Sequence, residues 1–265
     1  MPVSDLFAFA DRVAEARGEP PAASAVDAAQ LDDAALIASL PAAGLRAAPL
    51  LAGEAARRRL AAAVPALERL CRRLTGFGSD AIVPEQRAAL DALAAIGGSD
   101  VRETLVRLLA AQAFQGPTLA HALAIAARLD AVLPIASVRC LAGHADAAVR
   151  AAACRCAPAG RESFALLRDR LDDGDAAVRR AACCALGAMG RAEALPLLQL
   201  LLKTAPDAEI VAAVAPVANR DCLVLLGRIA RTMPALAAVA LAALEANDDP
   251  VAATIAVDVR RESSV

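Results

Sequence analysis

The chain contains no tryptophan and no tyrosine, and only five phenylalanines in 265 residues. That leaves little to stack on a nucleobase, which argues against base-flipping or single-strand-binding chemistry. Scarce aromatic and threonine side chains also argue against a sheet. There are two histidines, His121 and His144, far apart in sequence, where metal ligands come in clusters. Lys203 is the only lysine and offers the only candidate for Schiff-base chemistry. Gly76-Phe77-Gly78 has neither the preceding strand nor the further glycines of a phosphate-cradling loop. No G-x-S-x-G nucleophile turn occurs. No residue qualifies as catalytic, and no cofactor or metal is implied.

Long hydrophobic runs are missing too. The longest, Met233 to Leu244, has 12 residues, against about 20 for a membrane span. Asp5 and Asp11 stand where a signal peptide needs a basic stretch and an apolar core. No membrane insertion is expected, and the chain reads as cytoplasmic. Net charge is −2, which gives no overall pull toward nucleic acid or anionic lipid. Seven cysteines, an odd number inside helical patterns, do not make a disulfide framework and read as small apolar residues. The bias toward alanine and arginine suggests a GC-rich bacterial genome.

What is present is alanine and leucine, in a chain whose hydrophobic fraction is 58%. These residues favour helices packed with their backbones close together. The segment beginning 146-DAAVRAAACRC aligns with that beginning 175-DAAVRRAACCA at an offset of 29 residues. A one-residue gap then places Gly160 against Gly190 and Leu171 against Leu201. Each unit reads as two helices. Asp175 caps the first. Val178, Ala182, Ala185, Leu186 and Met189 form its apolar stripe. Gly190 ends it, and a second helix runs over 191–203. Weaker copies occupy 85–112, 117–143, 208–233 and 236–261.

The front of the chain lacks this grammar. Ser4 can cap a helix over 5–17, residues 18–24 read as a linker, and Ser24 with Asp27 begins a helix ended by Pro41 and Gly44. Residues 45–75 hold one or two helices, with Pro65 as a kink or a new start. The expected organisation is an N-terminal helical cap or arm over 1–44, a solenoid over 45–261, and a frayed tail over 262–265.

The pattern D-x-x-V-R-x-x-A-x-x-A-L-G-x-x-G resembles the HEAT repeat, in the variety also found in phycobilin-lyase-type proteins. Asp175, Val178, Arg179, Ala182, Ala185, Leu186 and Gly190 carry it most clearly. The resemblance implies an all-α fold, an α-solenoid of stacked antiparallel helix pairs. Its second helices would line a concave, partner-binding face, near Arg107, Arg139, Arg168, Gln199 and Arg228. Asp146, Arg150, Asp175 and Arg179 would cap helices and tie repeats together. Helical-repeat metal oxygenases of this shape use paired His-Glu dipeptides, and neither histidine here precedes a glutamate. DNA glycosylases of this shape need aromatic residues that are scarce in this chain.

Two features suggest binding surfaces. Residues 45–75 are basic; Arg57, Arg58, Arg72 and Arg73 either form a solvated helix face or make one patch for an acidic partner segment or a phosphate. The second is 195-LPLLQLLL-202, apolar all round but for Gln199. Leu198, Leu200 and Leu202 replace Arg168, Arg170 and Asp172 of the preceding unit. Either the superhelix covers this helix, or a partner or a second copy of the chain packs on Leu198 and Leu202. The expected role is a non-enzymatic adaptor or scaffold that binds a protein. The alternative is an enzyme or enzyme accessory resembling phycobilin-lyase-type maturation factors.

Overall fold

The computed structural model describes residues 27–263, with Ser263 described by its backbone alone. The helix expected over 5–17, the linker over 18–24, and Ser24 lie outside the described residues. Among the described residues there are fifteen α-helices and no strand. The first, α1 (Asp33–Ser39), is followed by seven antiparallel pairs. Their first members are α2 (Ala47–Arg57), α4 (Pro84–Ile96), α6 (Gly116–Arg128), α8 (Ala147–Arg155), α10 (Ala176–Ala188), α12 (Ala208–Val214) and α14 (Pro234–Glu245). Their second members are α3 (Val64–Arg73), α5 (Ser99–Ala110), α7 (Ile135–Leu141), α9 (Arg161–Arg170), α11 (Leu195–Thr204), α13 (Arg220–Thr232) and α15 (Pro250–Ser263).

The pairs stack in two layers. First members pack on first members in succession, from α2 to α14, and this is the tighter layer. Small side chains explain the closeness. Ala89, Ala92, Ala122, Ala126, Ala152, Ala181 and Ala182 are all buried on these helices. A β-carbon added at Gly187 of α10 would lie 2.5 Å from the Ala213 carbonyl oxygen of α12. The core between the layers is leucine: Leu67, Leu93, Leu105, Leu123, Leu167, Leu198 and Leu226 are almost fully buried.

Local chemistry sets the ends of the helices. Asp146, Asp175 and Asp207 each accept a backbone N–H of the first turn they precede. Asp32 does so for α1, so that helix starts there; Asp27 caps only a short 3-10 turn over Ala28–Gln30. Pro65 lies in the first turn of α3, after a 3-10 turn, and is a start and not a kink. Gln86, wholly buried at the start of α4, donates to the carbonyls of Cys71, Leu74 and Ala113, which lie at the ends of α3 and α5. Helix ends leave such carbonyls unsatisfied, so one amide secures two neighbouring elements.

The alignment of the second helices needs a correction. On α9 the buried residues are Ser163 and Leu167; on α11 the equivalents are Ala194, just before the helix, and Leu198. The offset is therefore 31 residues, one more than a single gap allows. Pro158 accounts for the difference. It lacks an N–H and disfavours helix at the residue before it, so α8 ends at Arg155, whereas α10 continues to Ala188. Gly160 then matches Arg191, and Leu198 matches Leu167 and not Arg168.

Candidate functional site

Arg57, Arg58, Arg72 and Arg73 are each engaged within the fold. Glu54 sits on α2 with its carboxylate gripped by two of them. Arg57 donates to it at 2.7 and 2.8 Å, and Arg58 at 2.6 Å. These hydrogen bonds hold the Glu54 carboxyl at about 2, well below its ordinary value of 4.5. Arg58 also donates to Asp33 and to the Leu31, Ala28 and Ala29 carbonyls, pinning the segment before α1 to α2. Arg73 donates to the Pro41 and Ala43 carbonyls. Arg72 donates to Glu68, which also accepts from Arg107 of α5. Arg57 and Arg58 thus share Glu54, Arg72 pairs with Glu68, and Arg73 holds the carbonyls before α2.

Side chains on the second helices tie neighbouring repeats together along the stack. Arg107 of α5 donates to Glu68 of α3 at 2.9 Å, and Arg139 of α7 to Glu162 of α9 at 2.5 Å. Arg168 of α9 pairs with Glu193 at 3.3 Å, and Arg191 lies over the Phe164 ring. Gln199 donates to Asn219, which also caps α13, and Arg231 of α13 donates to Glu262 of α15. Glu262 is therefore helical and paired, not part of a frayed tail. Arg228 is exposed and forms no ion pair among the described residues.

Within 195–202 the two residues expected to meet a partner face inward: Leu198 and Leu202 are buried between the layers. The exposed leucine of this segment is Leu200, at 55%. Val224 on α13 and Val257 on α15 are also exposed, at 60% and 49%. No local pattern marks either in the sequence, because each is one apolar residue among many.

A first-layer ion cluster joins three repeats: Arg155 of α8 and Arg180 of α10 both donate to Glu209 of α12, and Arg180 also pairs with Asp207. His121 of α6 bonds Asp91 of α4 at 2.7 Å, and the ring of His144 accepts the Asp146 N–H. Six of the seven cysteines are buried and Cys140 is exposed. Burial pushes the thiols of Cys71, Cys156 and Cys183 up to about 12, and those of Cys154 and Cys184 up to about 11. Among the described residues no three His, Cys, Asp or Glu side chains group in a way that could hold a metal ion.

Stacked antiparallel helix pairs, joined by recurring caps and inter-repeat ties, define an α-solenoid. The matching family model is more specific: residues 136–218, from α7 through α12, match HEAT repeats. No curated protein matches the chain. No helix among the described residues is long and apolar enough to cross a membrane.

Proposed function

We propose that the chain is a non-enzymatic adaptor that binds a protein partner on the outward face of its second-layer helices. One observation carries this reading: side-chain ties from Arg139–Glu162 through Arg231–Glu262 link the second-layer helices from α7 to α15, and Glu68–Arg107 links α3 to α5, so these helices share an outward face. Arg168 and Gln199 lie on that face. HEAT repeats commonly serve protein interaction, in keeping with this role. Arg58 and Arg73 contribute to holding the segment before the first repeat against it.

The test is affinity capture from nuclease-treated lysate of the producing cells, read by mass spectrometry and by absorbance of the eluate. A stoichiometric protein partner with no coloured or nucleotide-like absorbance supports the adaptor. A bound small molecule without a protein partner contradicts it and favours an enzyme accessory or ligand carrier.

A further inference from the structure

The side-chain ties along the second layer have one break. Glu68–Arg107 joins α3 to α5, and the series resumes with Arg139–Glu162 between α7 and α9. Between α5 and α7, among the described residues, there is no ion pair and no side-chain hydrogen bond. The first layer is unbroken at this point: α4 packs on α6, and His121 bonds Asp91 across them. α7 is the shortest of the second helices, at seven residues. Pro134 disfavours helix at the residue before it, and irregular backbone over 131–134 leads into α7.

A cleft of about 510 Å³ opens at the break. One wall is α5, with Arg102 and Val106; the other is the turn that follows α6, with Asp130 and Val132. Arg107, also on the α5 wall, is already held by Glu68 and Thr104, and Glu103 lies 4.0 Å from it. Arg102 and Asp130 are exposed on opposite walls, and neither has an ion pair among the described residues. Val132 is 58% exposed, and Val106 is half-buried.

We propose that this cleft binds a peptide segment of a partner protein that carries an acidic and a basic residue beside aliphatic ones. The inference rests on the adaptor reading and names where the partner sits and what its chemistry is. The acid meets Arg102, the base meets Asp130, and an aliphatic side chain lies against Val106 and Val132. Opposite charges on the two walls complement a ligand that carries both signs, and they disfavour one that carries a single sign. The volume lies in the range of about 300–1,000 Å³ usual for ligand clefts. Small-molecule sites, however, are lined mostly by apolar groups, and four of the seven residues lining this cleft are charged. A bound segment supplies the tie between α5 and the start of α7 that the chain itself lacks.

The test uses the full chain and a fluorescein-labelled peptide, Gly-Leu-Glu-Leu-Lys-Leu-Gly, read by fluorescence anisotropy. One control peptide has Gln for both charged residues, and a second has Lys for the Glu. The expected result is saturable binding of the first peptide with a Kd below about 1 mM, weaker binding of both controls, and weakening by added salt. Arg102→Glu should weaken the first peptide about fivefold and make the protein prefer the two-lysine control. Val132→Glu should weaken all three peptides. Both side chains are exposed, so neither change should move the thermal midpoint. Absence of saturable binding, or an Arg102→Glu variant with unchanged preference, overturns the proposal. Displacement of the peptide by equimolar free lysine or glutamate would assign the cleft to a small zwitterion and overturns it as well. If affinity capture still yields a stoichiometric protein partner with the Arg102→Glu, Val132→Glu double variant, the adaptor reading survives and only this cleft is wrong.

Discussion

Arg150 of α8 grips Asp173, which lies in the turn before α10, through two hydrogen bonds of 2.8 and 3.0 Å. The same guanidinium donates to the His144 and Ala145 carbonyls. One repeat later Arg179 reaches back in the same way to the Asp173 and Gly174 carbonyls. Asp173 also accepts the Asp175 N–H, the role His144 plays toward Asp146. The arginine of each D-x-x-V-R unit thus fastens its own helix to the turn before it, and Arg150 further locks two repeats together. Asp173→Ala removes a shielded, doubly bonded carboxylate. It should lower the thermal midpoint by about 5 °C, measured by circular dichroism.

Acid should loosen the same contacts. Hydrogen bonds from Arg150 and the Asp175 amide hold the Asp173 carboxyl at about 2, below its ordinary 3.8, and Glu54 also lies at about 2. A carboxyl whose value falls on folding binds its proton more readily in the unfolded chain. Its contribution is complete above the unfolded value and is lost as pH falls through the folded one. The thermal midpoint should therefore drop between about pH 4.5 and pH 2. The deficits of Glu54→Gln and Asp173→Asn relative to wild type should shrink across that window. Deficits that stay constant from pH 6 to pH 2 would show that the charged forms contribute nothing.

Gly187 marks where α10 and α12 approach most closely. A β-carbon there meets the Ala213 carbonyl oxygen at 2.5 Å and a methyl of Leu198 at 2.6 Å. Backbone must move to admit it, which outweighs the gain of about 1 kcal/mol in helix propensity. Gly187→Ala should destabilise the fold by about 1 kcal/mol in urea unfolding. Gly143, whose β-carbon would meet nothing closer than 3.6 Å, should tolerate alanine without that loss.

The helix 195–204 shows how far the sequence could be read. Asp caps, the glycine stop and the alternation of two helices were all legible, because each is a local rule fixed by backbone geometry. The inward face of 195-LPLLQLLL-202 was not, because a run of leucines looks apolar at every register. Only contact with α10 and α12 selects Leu198 and Leu202, and the two-residue shortening caused by Pro158 shifts the alignment that would have shown it. The arginines of 45–75 were hidden for another reason. Arg58 and Arg73 bond carbonyls 27 to 32 residues away, and no local pattern records that. Leu198→Ala should cost about 3 kcal/mol, and Leu198→Glu should unfold the chain. Leu200→Glu, two residues on, should leave stability nearly unchanged.

Thiol chemistry should report the same packing. Cys140 is the one exposed cysteine; the others are buried, with their thiolates disfavoured. Ellman's reagent should modify one thiol per native chain quickly, and the remaining six only as fast as the fold opens. Rapid modification of two or more would contradict the closeness of the layers.

The claim that the second-layer face does the binding is tested most directly by hydrogen–deuterium exchange of the chain, alone and with its captured partner. The prediction is added protection on the second-layer helices, with the first-layer helices unchanged. Protection confined to first-layer helices such as α8, α10 and α12, or no change on complex formation, would contradict it.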